Sequence, residues 1–182
     1  MNDERDLQLV KQTLEGDRSA FGQLVEEYQM AVVTVAYNVL GNRKDAEDAA
    51  QVAFMKAFEQ LASFKSDFRF FSWLYRIAVN EAINAKKKRR PLVGTDHIEA
   101  ESTERSDRMT EVNELEDRID QALMDLSPED RALILLRHYQ NFSYPDIAYI
   151  MDITEKKVKS RLFTARQRLR GIFETRGITA QA

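Results

Sequence analysis

A chain of 182 residues, 43% hydrophobic and 31% charged, holds enough apolar material for one domain or two small ones. Its 6 glycines and 3 prolines are too few for the turns of an all-β fold, so the composition points to helices. The absence of cysteine excludes disulfides, thiolate metal sites and cysteine redox sensing, and two distant histidines, His97 and His138, lack ligand spacing, so neither metal nor cofactor is expected. The N-terminus, MNDERDLQLV, has no signal-peptide core, and no run of about 18 apolar residues exists to span a membrane. A cytoplasmic protein is expected.

The net charge of −3 argues against a generic nucleic-acid binder, but its distribution is uneven. Residues 65–90 hold 8 Lys/Arg against 2 Asp/Glu, and residues 154–182 hold 8 against 2. Between them, residues 91–130 hold 3 against 13, and residues 1–64 hold 6 against 11. Two basic islands separated by an acidic middle fit two nucleic-acid contacts joined by a segment that avoids duplex DNA or mimics it.

In chain order, residues 4–15 read as a short amphipathic helix with Leu7, Val10 and Leu14 on one face and Gly16 as its stop. Asp17 is placed to cap a helix over 18–40, whose Phe21, Leu24, Val25, Tyr28, Val32, Val35, Ala36 and Val39 recur at steps of three and four. Gly41 and Asn42 then supply a stop and a new cap. The next helix, 44–62, is expected to bury Ala49, Val52, Ala53, Met55, Phe58 and Leu61, with Asp45, Glu47, Asp48, Gln51 and Lys56 outside. A fourth helix covers 68–89, and these four can close one core. Residues 91–110 lose periodicity and read as a mobile acidic linker, dividing the chain into 1–90 and 111–182.

Periodicity returns over 110–125. Ser127-Pro128-Glu129-Asp130 then carries a capping serine, a proline at the first helical position and an acid placed for a capping box. Ser143-Tyr144-Pro145-Asp146 repeats the signal before a short helix, and Thr154 caps a long basic one. Two helices joined by a tight turn, the second basic, form a helix-turn-helix pattern. In the last helix Val158, Leu162, Ala165 and Leu169 make the inward stripe, which turns Lys156, Lys159, Ser160, Phe163, Thr164, Gln167 and Arg170 elsewhere. There a cation meets guanine and an apolar group a thymine methyl. The alternative is a solvated basic helix in a bundle.

Two other stretches carry chemistry or packing. The acidic face at Asp45, Glu47, Asp48 and Gln51 has no nucleophile, histidine or phosphate loop beside it, so it is either solvated or a docking face for a basic protein. No catalytic constellation exists elsewhere, and neither an enzyme nor a small-molecule substrate is expected. Residues 64–90, FKSDFRFFSWLYRIAVNEAINAKKKRR, begin with aromatics and end in five cations, the combination that holds unstacked bases and phosphates. Phe70, Leu74, Ile77, Ala78 and Ala82 fit the inward register, Phe64, Trp73 and Arg76 do not all join them, and Asn80 offers a polar group to a base edge. The core aromatics and the base-contacting ones are not separable by register alone.

The segments GDRSAFGQLVEEY, DAEDAAQVAFMKAFEQLASF and FFSWLYRIAVNEAINAKKKRR, followed by LSPEDRALILLRHYQNFSYPDIAYIMDITEKKVKSRLFTARQRLR, resemble the extracytoplasmic-function group of bacterial sigma factors over residues 5–175. The resemblance implies an all-α protein of two small helical domains, sigma regions two and four, joined by an acidic linker. It implies promoter-specific transcription initiation as an alternative sigma factor, with core RNA polymerase (its β′ clamp coiled coil and β flap), promoter DNA and an anti-sigma factor as partners. It places Asp45, Asp48, Gln51 and Phe54 on the β′ docking surface. Ser63, Phe64, Trp73, Arg76, Asn80, Lys86 and Lys87 fall on the −10 reader, and Arg137, Lys159, Ser160, Phe163 and Arg166 on the −35 reader. Lys159 stands where arginine is common and Thr164 where some relatives carry a basic residue; lysine lacks the bidentate fork, so the docking mode carries over and the −35 sequence preference does not. The rival readings are a dimeric helix-turn-helix regulator, which needs no polymerase, and a helical adaptor that touches no DNA.

Overall fold

The computed structural model describes residues 3–89 and 111–178. Among them the fold is all helical: α1 Asp3–Leu14, α2 Arg18–Leu40, α3 Arg43–Glu59, a 3-10 turn Leu61–Ser63, α4 Phe70–Arg89, α5 Glu111–Met124, α6 Pro128–His138, α7 Tyr144–Met151 and α8 Glu155–Thr175. The expected linker, 91–110, lies outside the described residues.

Local chemistry sets the boundaries. Asp17 accepts the Ser19 amide at 2.9 Å and Asn42 accepts that of Asp45 at 3.0 Å, each satisfying a donor the helix start leaves open. Gly41 ends α2 at φ 75°, the left-handed conformation that favours glycine, while a Cβ there would meet only the flexible end of the Met124 side chain. The expected capping box forms fully at Ser143 and Asp146 but only half at Ser127. There the Asp130 carboxylate turns away to take Arg161 at 3.1 Å and Arg168 at 2.5 Å, because two guanidinium groups outcompete one backbone amide.

Two expected helix faces are rotated in the structure. In α1 Leu7 and Leu14 are exposed, while Asp6, Leu9, Val10 and Thr13 turn inward. The rotation follows from two hydrogen bonds that let polar groups go inside: Tyr28 donates to Asp6, and Thr13 donates to the Leu9 carbonyl at 2.8 Å. In α3 the buried residues are Ala46, Ala49, Ala50, Ala53 and Ala57, whereas Val52, Met55 and Phe58 are exposed. Alanines let the backbone of α3 approach α2 and α4 closely, and the bulk that fills the domain comes from Phe21, Leu24, Tyr28, Phe70, Leu74 and Tyr75. Each large apolar side chain so buried contributes about 1.5–3 kcal/mol.

The second domain packs α5–α8 around Leu133, Leu136, Ile147, Ile150, Val158 and Leu162. It rests against the first. Phe142, between α6 and α7, packs on Phe71 and Tyr75 of α4 with ring centroids 5.8 and 5.5 Å apart. Arg131, 1% exposed, crosses the junction. It donates to the carbonyls of Leu123, Met124 and Leu126 at 2.8, 2.6 and 3.1 Å, and to that of Val39 on α2. Burial away from water pushes its guanidinium down to about 10, and the Asp125 charge opposes that.

Candidate nucleic-acid interface

The end of α3 with the loop after it, the first half of α4, and Tyr149 of α7 enclose a cleft of about 410 Å³. Ser63, Trp73, Arg76 and Asn80 line it, four of the residues expected at the −10 reader. Their approach to one another is helical arithmetic: positions 73, 76, 77 and 80 share one face of α4. Trp73 is 7% exposed and packs against Phe64 and Phe70 at 5.5 and 5.7 Å, so it offers the cleft an edge while its ring belongs to the core. Phe64 is half-buried, edge-on to Phe70 at 5.7 Å, and lies behind the cleft wall. The Ser63 hydroxyl donates to the Gln60 carbonyl at 2.7 Å. Lys56 and Glu81 pair at 2.6 Å across the cleft rim. Lys86 and Lys87 lie further along α4. Lys86 donates to the Leu40 carbonyl at 3.0 Å, satisfying the end of α2, and Lys87 pairs with Glu129 of α6 at 2.7 Å.

Asp152 to Thr154 separate α7 from α8, with Asp152 in the left-handed region at φ 55°. The inward stripe of α8 is as expected: Val158, Leu162 and Ala165 are buried and Leu169 is half-buried. Lys159, Ser160, Phe163 and Arg166 are exposed on one flank, Phe163 at 64%. Arg137 joins them from α6, held by the Phe142 carbonyl at 2.9 Å.

Two residues in this neighbourhood go beyond the expected set. The Tyr144 ring lies between Arg137 and Lys159, 5.0 and 5.5 Å from their charges, and sets both cations through its face. His138 accepts from Arg166 Nε at 3.2 Å. Burial, then the charges of Arg166 and Arg137, hold that imidazole below its usual value of 6.5, consistent with a neutral acceptor. The only sequence signal for Tyr144 is its place beside a capping serine.

On α3, Asp48 and Gln51 are exposed, Asp45 and Phe54 are half-buried, and Met55 stands out at 63% exposure. The four residues expected at the docking surface thus lie along one helix, with Val52 and Met55 adding apolar area among them. A larger hollow, about 650 Å³, opens by the end of α8. Its cations are already matched, Arg176 to Asp125 at 2.7 Å and Arg168 to Asp130, so it has no charge to offer an anion. Among the described residues no cluster of metal-ligating side chains exists, and no helix is long and apolar enough to cross a membrane.

The described residues thus form a two-domain helical protein with an exposed basic helix behind a three-residue turn and a polar cleft to which both domains contribute. Residues 24–91 match the family model for sigma-70 region 2, and residues 116–169 match that for sigma-70 region 4. The chain is 33% identical to the RNA polymerase sigma-H factor of Pseudomonas aeruginosa over 179 residues, covering 92% of this chain and 93% of that one. It is 37% identical to the ECF RNA polymerase sigma-E factor of Escherichia coli K12 over 171 residues, covering 87% and 89%. Its fold matches CnrH solved with the cytosolic domain of CnrY, with TM-score 0.70 and 26% identity over 94% of this chain and 98% of that one. It also matches the sigma factor RpoE of Bartonella quintana solved with the anti-sigma factor NepR, with TM-score 0.66 and 25% identity over 85% and 96%. The chain belongs to the extracytoplasmic-function group of sigma factors, which direct transcription initiation at promoters.

Proposed function

We propose that this protein, working in the cytoplasm with no catalysis or cofactor of its own, brings core RNA polymerase to promoters through three surfaces. Residues 1–90 form the polymerase-docking and −10 unit, and residues 111–182 the −35 unit. The observation that carries this reading is the shared exposed flank of α8, where Lys159, Ser160, Phe163 and Arg166 stand free of the core behind a helix-turn-helix turn. Cations there meet phosphate and guanine, and Phe163 meets a thymine methyl.

The cleft beside Asn80 takes a base from the separated strand, with Asn80 reading its edge and Arg76 neutralising phosphate; Phe64 and Trp73 back the wall. Extruding a base costs a few kcal/mol, which contacts to polymerase must offset. Asp45, Asp48, Gln51 and Phe54 on α3 dock the β′ clamp coiled coil, while the −35 unit meets the β flap. Because the Bartonella RpoE was solved with the anti-sigma factor NepR, and CnrH with the cytosolic domain of CnrY, an anti-sigma factor is assigned to this chain as well.

Run-off transcription with core polymerase over a randomised promoter library tests the whole reading. Enriched −10 and −35 elements at fixed spacing are expected. Failure to associate with core polymerase, or tight binding to paired half-sites without it, points instead to a dimeric regulator.

A further inference from the structure

We propose that His138 is a positioning residue of the −35 reader: its neutral imidazole holds Arg166 for base readout, and its protonated form releases Arg166 and grips phosphate instead. The proposal rests on the −35 reading of α8. His138 is the last residue of α6, and its Nε2 accepts from Arg166 Nε on α8 at 3.2 Å. A guanidinium is planar, so a bond at Nε sets its plane and leaves the two terminal nitrogens for the O6 and N7 of a guanine. The other two cations of the reader, Arg137 and Lys159, are held instead by the Tyr144 ring between them, at 5.0 and 5.5 Å.

An imidazole accepts a hydrogen bond only while neutral; once protonated it has two donors and a charge. The charges acting on His138 are cations, Arg166 from α8 and Arg137 beside it on α6, with Lys159 beyond the Tyr144 ring of α7. Burial, then the Arg166 and Arg137 charges, hold it below 6.5 in the free chain, which keeps the acceptor form near neutral pH.

Promoter phosphates reverse that field by bringing negative charge to the same flank. His138 also stands where the helix's own terminal carbonyls favour a cation. Its value on DNA is therefore higher than in the free chain, binding takes up a proton, and affinity rises as pH falls through the bound value. That gain is in phosphate contact, which every sequence offers, while Arg166 loses the bond that orients it. Acid thus strengthens binding and weakens discrimination.

Holoenzyme is tested at about pH 8 and about pH 6 on a fluorescent duplex from the run-off selection and on the same duplex with its −35 element scrambled. The affinity ratio between the two is expected to fall about fivefold on acidification. Binding to the scrambled duplex tightens about threefold, and its salt slope steepens by about one unit. His138→Gln places an amide oxygen that does not titrate beside Arg166, and is expected to hold the high ratio at both pH values. His138→Lys, a cation at both, is expected to show the low ratio throughout. The sequence has one other histidine, His97, so loss of a signal in His138→Gln identifies this imidazole by nuclear magnetic resonance in the full-length chain. It is expected to titrate below 6.5 alone and to move up when scrambled duplex is added at low salt. A parent ratio that pH leaves unchanged overturns the role of His138, as does a His138→Gln ratio that falls with pH as the parent's does. An imidazole that titrates alike with and without DNA overturns the proton linkage. Equal affinity of the parent for both duplexes at about pH 8 removes the −35 reading itself, and the proposal with it.

Discussion

Asp6 and Arg131 are charged side chains that the fold buries, at 4% and 1% exposure, and each makes a separate test. Burial, above all, raises the Asp6 carboxyl above its unfolded value of 3.8; the Tyr28 hydrogen bond opposes this, and Asp3 and Glu27 add to it. A raised folded value means that the stability it contributes is full below pH 3.8 and is lost as pH rises through the folded value. Asp6→Asn keeps an acceptor for Tyr28 and removes the charge. Its melting temperature is expected to equal or exceed that of the parent at about pH 7, with the gap closing as pH falls toward 3.8, read by thermal denaturation across pH.

Arg131 behaves oppositely. Arg131→Met strands the carbonyls of Leu123, Met124, Leu126 and Val39 in a dry junction. The expected loss is about 3 kcal/mol, roughly 6–12 °C in melting temperature for a chain of this size. Neither residue is legible in the sequence. Apolar periodicity says which face is inside, and a lone Asp or Arg on that face announces itself only once its partners are known: Tyr28, 22 positions from Asp6, and for Arg131 the carbonyls of a nearby turn together with Val39, 92 positions away.

Helix existence and order are legible throughout, because caps and glycine stops are local chemistry that the sequence displays directly. Face assignment is legible where bulk and register agree, as along α2 and α8. It fails on α3, where a seam of five alanines outcompetes Val52, Met55 and Phe58 for the interior. Alanine permits close helix approach, so a small-residue face wins when its neighbours supply the volume. Three tests follow for α3 and α8. Met55→Glu is expected to leave thermal stability within about 0.5 kcal/mol, since the site is solvent, yet weaken association with core polymerase at least tenfold in a competition assay. On α8, Phe163→Ala is expected to cost about 1 kcal/mol in −35 duplex affinity within the holoenzyme and nothing in stability. Replacing Lys159 and Arg166 with alanine should lower the salt slope of promoter binding by about one unit for each phosphate left without its cation. An unchanged −35 affinity with Phe163→Ala, or an unchanged salt slope, would return α8 to the role of a solvated bundle helix.

At the scale of the molecule, the contact between domains is the least legible feature, since neither half's periodicity says that Phe142, Tyr149 and Asp152 belong against α4. The contact must also be weak. Any conformation that polymerase and promoter have to open subtracts its stability from their binding, and only differential affinity shifts such an equilibrium. If closure is favoured by about 3 kcal/mol, the closed form outnumbers the open one by roughly a hundred to one. Two domains on one chain meet at an effective concentration of order millimolar, so the untethered halves would then associate with a dissociation constant of order 10 μM. The 21 residues from 90 to 110 reach up to about 70 Å by covalent geometry, enough to let the domains part widely. A protease site inserted between positions 95 and 105 tests this balance. After cleavage, at about 1 μM, the halves are expected to elute separately on size exclusion, whereas the uncut chain elutes as one compact species. Co-elution at that concentration would mean an interface too tight for promoter engagement to open. Raising salt to about 0.5 M should weaken what association remains by only a few-fold, because the partly exposed Arg76–Asp152 and Lys87–Glu129 pairs are partly screened while the stack of Tyr149 on Phe68 and the packing of Phe142 are not.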